Sequence, residues 1–363
     1  MENKVFLSYG AFISPLGSTV ESNYESIFQG NSGVQQVIAS GFKDENWFIS
    51  KIDWLKENRY NNLLSTALEA LTKTEHKSIL ASKKTRFIIS STKGNITALP
   101  LDVFASTRTI IKDLTGNQNI PIIISNACIS GVTAINTAAD YIRYSGIENV
   151  VIIGIDTVSD FITYGFQSLF ALSDQPSQPF DAKRKGISLG EACGIIVATK
   201  NKPTDFSVEY LNGTSSNDAN HISGPSRTGE GLYRVVKKSI EKSCIKNDAI
   251  DFISAHGTGT IYNDEMESIA FSRCALTTVS LNSLKGYFGH TLGAAGVIET
   301  IVCMLSLQHQ QVFKSIGYEE KGTSEPLNVA TETINKPLNI VLKTASGFGG
   351  GNAALLLKNV SCN

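Results

Sequence analysis

Ile122, Ile123 and Ile124 form an unbroken β-branched run that stops at Ser125. From Ile129 onward apolar residues return at Val132, Ile135, Ala139 and Ile142, three or four positions apart. The first pattern predicts a strand and the second a helix with one apolar face. Cys128 stands at the junction. Its sulfur would point at the unpaired N–H groups of the helix N-terminus, whose partial positive charge favours a thiolate.

The patterning repeats along the chain. A short apolar strand is expected at residues 4–8 and again at 206–211, each followed by an amphipathic helix, at 62–73 and 232–244. In the second helix Leu232, Val236, Ile240 and Cys244 recur every four residues along one face. Phe87-Ile88-Ile89-Ser90 and Phe252-Ile253-Ser254-Ala255 are strands running into small-residue loops. Strand–loop–helix units then end at Cys128 and at Gly289-His290, and the run from Val150 to Gly154 is answered by Ile340 to Lys343. Strands alternating with helices argue for an α/β protein. The expectation is a duplicated fold whose halves, 1–200 and 201–363, sit about a pseudo-twofold axis, with Cys128 facing His290. No Pro/Gly/Ser-rich linker divides them, so one continuous core is expected.

Composition narrows the functional classes. Apolar residues are 42% and charged residues 18% of 363, ordinary for a globular enzyme and far from disorder. A formal net charge of -1 gives no reason to expect nucleic acid or a membrane surface as partner. The N-terminus lacks the apolar core of a signal peptide, and no run of about 20 apolar residues suited to a membrane span is evident. Six scattered cysteines fit neither a disulfide framework nor a zinc site, and no metal is expected. Cys193, Cys244, Cys274 and Cys303 fall in apolar or helical patterns and read as core, and Cys362 as tail. The compartment expected is a reducing cytoplasm.

Three further clusters carry candidate chemistry. His256-Gly257-Thr258-Gly259-Thr260 follows a strand and precedes Asn263-Asp264 and Glu267, carboxylates placed to cap N–H groups or hold a base. Lys285-Gly286-Tyr287-Phe288-Gly289-His290 leads into Gly293-Ala294-Ala295-Gly296, small residues that let a helix pack closely. Ser346-Gly347-Phe348-Gly349-Gly350 is a turn able to aim a backbone N–H into a cavity. Neither glycine run has P-loop or dinucleotide spacing. One thiol, two imidazoles and a donor loop supply the parts of a thioester-processing site.

These elements resemble, in order and nearly end to end, the elongating β-ketoacyl-(acyl-carrier-protein) synthases of the thiolase-like superfamily. Ser14-Pro15-Leu16-Gly17, Ala171-Leu172-Ser173 and the stretch from Pro179 to Gly186 belong to the same likeness. The resemblance implies five layers, α-β-α-β-α, and a decarboxylative condensation of malonyl thioester with an acyl group on Cys128. It implies enolate stabilisation by His256 and His290 and an oxyanion hole from the N–H groups of Cys128 and Phe348. Thr258 and Thr260 would contact the pantetheine arm, Phe166 and Phe348 the acyl group. Asp264 and Glu267 would support the site, with Lys285 paired to Glu267, and Lys56 and Arg59 would dock an acidic carrier. No resident cofactor is implied, because phosphopantetheine arrives on the acyl carrier protein. A homodimer, or a heterodimer with a related synthase, is implied as well.

The chain departs from the family at Gly190-Glu191-Ala192-Cys193-Gly194, at Ile261 where proline is common, and in a short stretch from about 76 to 121. A thiolase would need a second cysteine where His290 stands, and a non-catalytic chain-length partner would lack Cys128. A ketosynthase of a polyene or other secondary-metabolite pathway, working beside a chain-length-factor-like partner, is the alternative to fatty-acid elongation.

Overall fold

The computed structural model describes residues 4–202, 206–218 and 224–360. In the first half the strands are β1 (Val5–Ile13), β2 (Thr85–Ser90), β3 (Ile122–Ile124), β4 (Asn149–Asp156) and β5 (Ala192–Thr199). In the second they are β6 (Val208–Asn217), β7 (Phe252–Ser254), β8 (Ser280–Asn282), β9 (Ile340–Gly347) and β10 (Gly351–Asn359). Hydrogen bonding orders the first set β3-β2-β4-β5-β1 and the second β8-β7-β9-β10-β6. Numbered within each half, both read 3-2-4-5-1. The directions also match: β2 runs parallel to β3 and β4, as β7 does to β8 and β9, and the other pairs are antiparallel. Duplication is therefore written in the topology. β1 and β6 join the halves by pairing Val5 to Tyr210 and Leu7 to Val208, and Asn328–Val329 adds an eleventh strand at one edge.

The helices of eight or more residues are α1 (Val20–Gln29), α2 (Arg59–Leu71), α3 (Ala105–Thr115), α4 (Ser130–Tyr144), α5 (Asp160–Ser168), α6 (Glu230–Lys242), α7 (Ile261–Arg273) and α8 (Ala295–His309). Side chains alternate across a strand, so one strand serves two cores. Phe87, Ile89, Val151 and Ile153 pack outward with Leu63, Leu64 and Leu68 of α2 and Ile111 of α3. Ile88, Val150 and Ile152 pack inward with α4 and α8. In the second half Ile253, Leu342 and Leu356 meet Leu232, Val236 and Phe271 of α6 and α7. The inner core also takes Val341, Leu355 and Leu357, so α4 and α8 are shared between the sheets. The layers are α-β-α-β-α.

Burying a leucine of α2 contributes roughly 1.5–3 kcal/mol. The central pair is closest at two glycines. A Cβ on Gly131 would fall 2.7 Å from the Cα of Gly296, so the helix after Cys128 and the helix after His290 touch backbone to backbone.

Several expectations need correction. β1 and β6 run well past the short strands read from the sequence, since β1 is shared between two neighbours. α6 stops at Lys242, and Cys244 is exposed in a left-handed turn (φ 53) rather than on the apolar face. Leu292–His309 is long and apolar enough by composition to cross a membrane, contrary to the sequence reading, but 89% of it is buried inside the fold. It is apolar all round because sheets enclose it on both sides. Cys362 lies outside the described residues.

Candidate active site

β3 delivers the chain to a strained turn. Ala127 adopts φ 44, a region costing about 1–3 kcal/mol for a residue with a Cβ. Ser130 holds that turn, accepting from the Asn126 N–H at 2.7 Å and donating to the Ala127 carbonyl at 2.6 Å. Cys128 thereby projects to the base of a cavity of about 770 Å³. Phe166, Thr258, Thr260, His256, His290 and Phe348 line the same cavity.

His290 Nε2 lies 3.0 Å from the Cys128 sulfur. The Leu292 N–H donates to His290 Nδ1 at 3.1 Å. A neutral imidazole whose Nδ1 accepts carries its proton on Nε2, so His290 faces the sulfur as a donor. His256 crosses it edge-on, ring centroids 5.2 Å apart. Its Nδ1 is buried without a hydrogen-bond partner among the described residues. Burial, then the Lys285 charge, hold both imidazoles well below their ordinary range, so both are neutral near pH 7. Cys128, His256 and His290 bring ligand atoms within 4.8 Å of one another, a span that suits a metal. The proton on His290 Nε2 opposes coordination there.

The sulfur is not the ready thiolate read from the sequence. Burial pushes the Cys128 thiol up to about 11, and the Lys285 charge and the Phe348 N–H only partly offset this. His290 lies at hydrogen-bond distance from the sulfur, and the nearby Phe348 N–H favours the thiolate form. Gly347 lets the two strands of the site approach, since a Cβ there would sit 3.0 Å from the Cys128 nitrogen. Gly349 and Gly350 hold φ 82 and 77, conformations that favour glycine. The Phe348 ring stacks on Phe166 at 5.5 Å between centroids.

The carboxylates organise the loop after β7. Glu267 accepts from the N–H groups of His256 (2.8 Å) and Gly257 (2.6 Å). Asp264 accepts from Thr258 (2.9 Å), Gly259 (3.2 Å) and Phe180 (2.7 Å). Burial, then the neighbouring Asp264 charge, raise Glu267 to about 7. The hydroxyls of Thr258 and Thr260 are 2.9 Å apart at the cavity wall. Thr260 also caps α7, accepting from the Asn263 N–H.

Lys285 does not pair with Glu267. Its ammonium bonds Glu299 of α8 and donates to the His256 carbonyl at 3.1 Å, and Lys343 of β9 takes the other Glu299 oxygen at 2.7 Å. Burial opposes ionisation of Glu299, yet the two cations hold it below the usual carboxylate range. Sequence reasoning missed Glu299 and Lys343. The available signal was one charge inside each of two apolar runs, Val297-Ile298-Glu299 and Val341-Leu342-Lys343, since buried charges are almost always partnered. Arg59 is likewise no free docking cation: its guanidinium bonds fully buried Glu191 and the carbonyls of Ile52 and Leu55. Lys56 is exposed.

Comparison with known proteins decides the family. The Beta-ketoacyl synthase N-terminal domain matches residues 109–203, and its C-terminal domain matches 209–319. The chain belongs to the β-ketoacyl synthase family. This synthase is 26% identical over 429 residues to a putative mitochondrial 3-oxoacyl-(acyl-carrier-protein) synthase of Schizosaccharomyces pombe, covering 99% of both chains. It is 30% identical over 255 residues to the tetracenomycin polyketide synthase ketoacyl synthase alpha subunit of Streptomyces glaucescens, covering 65% of this chain and 59% of that one. The synthase fold matches the ketosynthase ApeO, solved in complex with its chain length factor ApeC from Xenorhabdus doucetiae. There the TM-score is 0.88 at 23% identity, covering 99% of this chain and 98% of that one.

Proposed function

We propose that this synthase condenses a malonyl thioester with an acyl group held on Cys128, both delivered by an acyl carrier protein. The observation that carries the reading is the meeting of Cys128, His256 and His290 at one cavity that Phe348 also lines. In the first half-reaction the sulfur attacks the acyl thioester, the carbonyl–carrier sulfur bond breaks, and the thiol proton leaves with the carrier sulfur. Covalent capture divides one hard condensation into two easier steps.

In the second, the malonyl C–C bond breaks, CO2 departs, and the electron pair becomes an enolate. His290 Nε2–H and a His256 N–H donate to the enolate oxygen, and neutral imidazoles suit that task because they need not release a proton. The enolate carbon attacks the acyl carbonyl. The N–H groups of Cys128 and Phe348 hold the tetrahedral oxygen, and collapse expels Cys128 as a thiolate, which takes a proton from water, with a β-ketoacyl carrier as product. Preorganised donors of this kind are worth about 10²–10³ in rate each. Lys285, Glu299 and Lys343 act through the loop they brace and take no proton.

Thr258 and Thr260 line the path of the pantetheine arm, and Phe166 stacks where the acyl chain would begin. The only prosthetic group needed arrives on the carrier. The reading places the reaction in a reducing cytoplasm, where Cys128 stays a free thiol. A second chain, either another copy or a related synthase, fits the edge strand β3, which among the described residues pairs with β2 alone and lies beside exposed Ile120. The Streptomyces relative and the ApeO–ApeC fold match support the alternative of a polyketide ketosynthase with a chain-length-factor-like partner.

Incubation with acyl-carrier and malonyl-carrier should yield CO2 and a carrier-bound β-ketoacyl product two carbons longer. Condensation of two acyl thioesters without CO2 release would overturn the reading in favour of thiolase chemistry.

A further inference from the structure

Asp156 ends β4, fully buried between the halves. Its Oδ2 accepts from the Thr92 N–H (2.9 Å), the Thr92 hydroxyl (3.0 Å) and the Gly293 N–H (2.8 Å), the last from 137 positions away. Its Oδ1 accepts from the Ser91 hydroxyl and the Lys93 ammonium, both at 2.9 Å. The Ser90 hydroxyl donates to the Gly293 carbonyl at 2.5 Å. First-half groups thus grip both polar atoms of Gly293. There is no room to loosen that grip, since a Cβ on Gly293 would lie 2.8 Å from the Thr92 nitrogen.

The residue before it carries the consequence. Leu292 holds φ 53, a left-handed conformation that a leucine adopts only when its surroundings impose it. In that conformation its N–H reaches His290 Nδ1 at 3.1 Å. An occupied acceptor at Nδ1 leaves the imidazole proton on Nε2, the nitrogen that faces Cys128. Without the Leu292 donor the two tautomers would compete, and the Nδ1–H form offers the cavity a lone pair where a donor is needed.

We propose that Asp156 is a positioning residue for His290. By anchoring Gly293 it keeps Leu292 left-handed, and Leu292 in turn keeps His290 an Nε2–H donor. The chain of contacts crosses from the half that holds Cys128 to the half that holds His290. The consequence for rate rests on His290 as enolate donor; the tautomer itself does not.

Two matched variants test this. Asp156→Asn/Lys93→Met retains one oxygen that can turn to Gly293 and Thr92, while Asp156→Leu/Lys93→Met retains none. Both remove the buried ion pair, so neither leaves an uncompensated charge. The readouts are ¹⁵N chemical shifts of the His290 imidazole, assigned against His290→Ala, and decarboxylation of malonyl-carrier. The Asn variant should keep the Nε2–H signature and stay within about threefold of the unmodified enzyme. The Leu variant should show mixed tautomers and lose about 10²-fold in decarboxylation, the worth of one oxyanion donor. Equal behaviour of the two variants on the tautomer readout would overturn the proposal. Should the Leu variant fail to fold, Asp156→Ala/Lys93→Met, which removes the same acceptor with less bulk, takes its place: mixed tautomers there support the proposal, and an unchanged Nε2–H signature overturns it. A correct tautomer pattern with no decarboxylation in any form would instead count against the condensation reading.

Discussion

Cys128 Sγ and His290 Nε2 lie 3.0 Å apart although 162 positions separate them in the chain. The duplication explains the meeting. Each residue follows the third strand of its half and precedes a central helix, and α4 and α8 touch at Gly131 and Gly296. A pseudo-twofold arrangement of that kind brings equivalent loops to one place.

Because His290 donates rather than accepts, the two imidazoles belong to the malonyl half-reaction. His256→Ala or His290→Ala should each lower malonyl-carrier decarboxylation by about 10²–10³. Acyl transfer to Cys128 should survive in both. The double variant should lose less than the product of the singles, as expected for two donors on one oxygen. Undiminished CO2 release in His290→Ala would remove it from that role.

Burial holds the Cys128 thiol up to about 11, and this sets the pH course of its reactivity. Below that value the thiolate fraction rises tenfold per pH unit. Alkylation of Cys128 by iodoacetamide should therefore climb with a slope near one in log rate from pH 7 to 10. A plateau near pH 7 would mean that the helix N-terminus and His290 overcome desolvation, as the sequence alone suggested.

The loop that presents the Phe348 N–H can be stiffened without a steric clash. At Gly349 an added Cβ meets nothing within 4 Å, so Gly349→Ala isolates the cost of φ 82. Holding alanine there costs roughly 1–2 kcal/mol. Thermal melting should fall by a few degrees, while turnover should fall further, about tenfold or more, as the N–H leaves the oxyanion position. Equal proportional losses in both would make the loop a plain structural turn.

The duplicated α/β pattern, the Cys128 junction and the glycine-framed histidines were all legible because strand and helix periodicities are local. Partner choice was not. Lys285 meets Glu299 rather than Glu267, Asp156 reaches Gly293, and Arg59 finds Glu191. Asp156 and Gly293 are 137 positions apart and Arg59 and Glu191 132, while Lys285 and Glu299 are only 14 apart, yet at either range periodicity carries no information about which buried polar group faces which. The raised Cys128 thiol was hidden for a similar reason: its burial is set by the tertiary fold and not by its local sequence.

Arg59 and Lys56 are now separable. Arg59→Met should lower stability by roughly 3–5 kcal/mol, since buried Glu191 loses its partner. Lys56→Glu should leave melting unchanged and raise the KM for carrier protein at low salt, the mark of an exposed steering charge. An unchanged KM at low salt would place docking elsewhere.

The central claim is that Cys128 accepts the acyl group, and intact mass spectrometry after incubation with acyl-carrier tests it most directly. The unmodified chain should gain one acyl mass that maps to the peptide containing Cys128. Cys128→Ala, which removes a single buried sulfur and should fold normally, should gain none. A full acyl mass on the alanine variant, or acylation mapped to any other residue, would contradict the account.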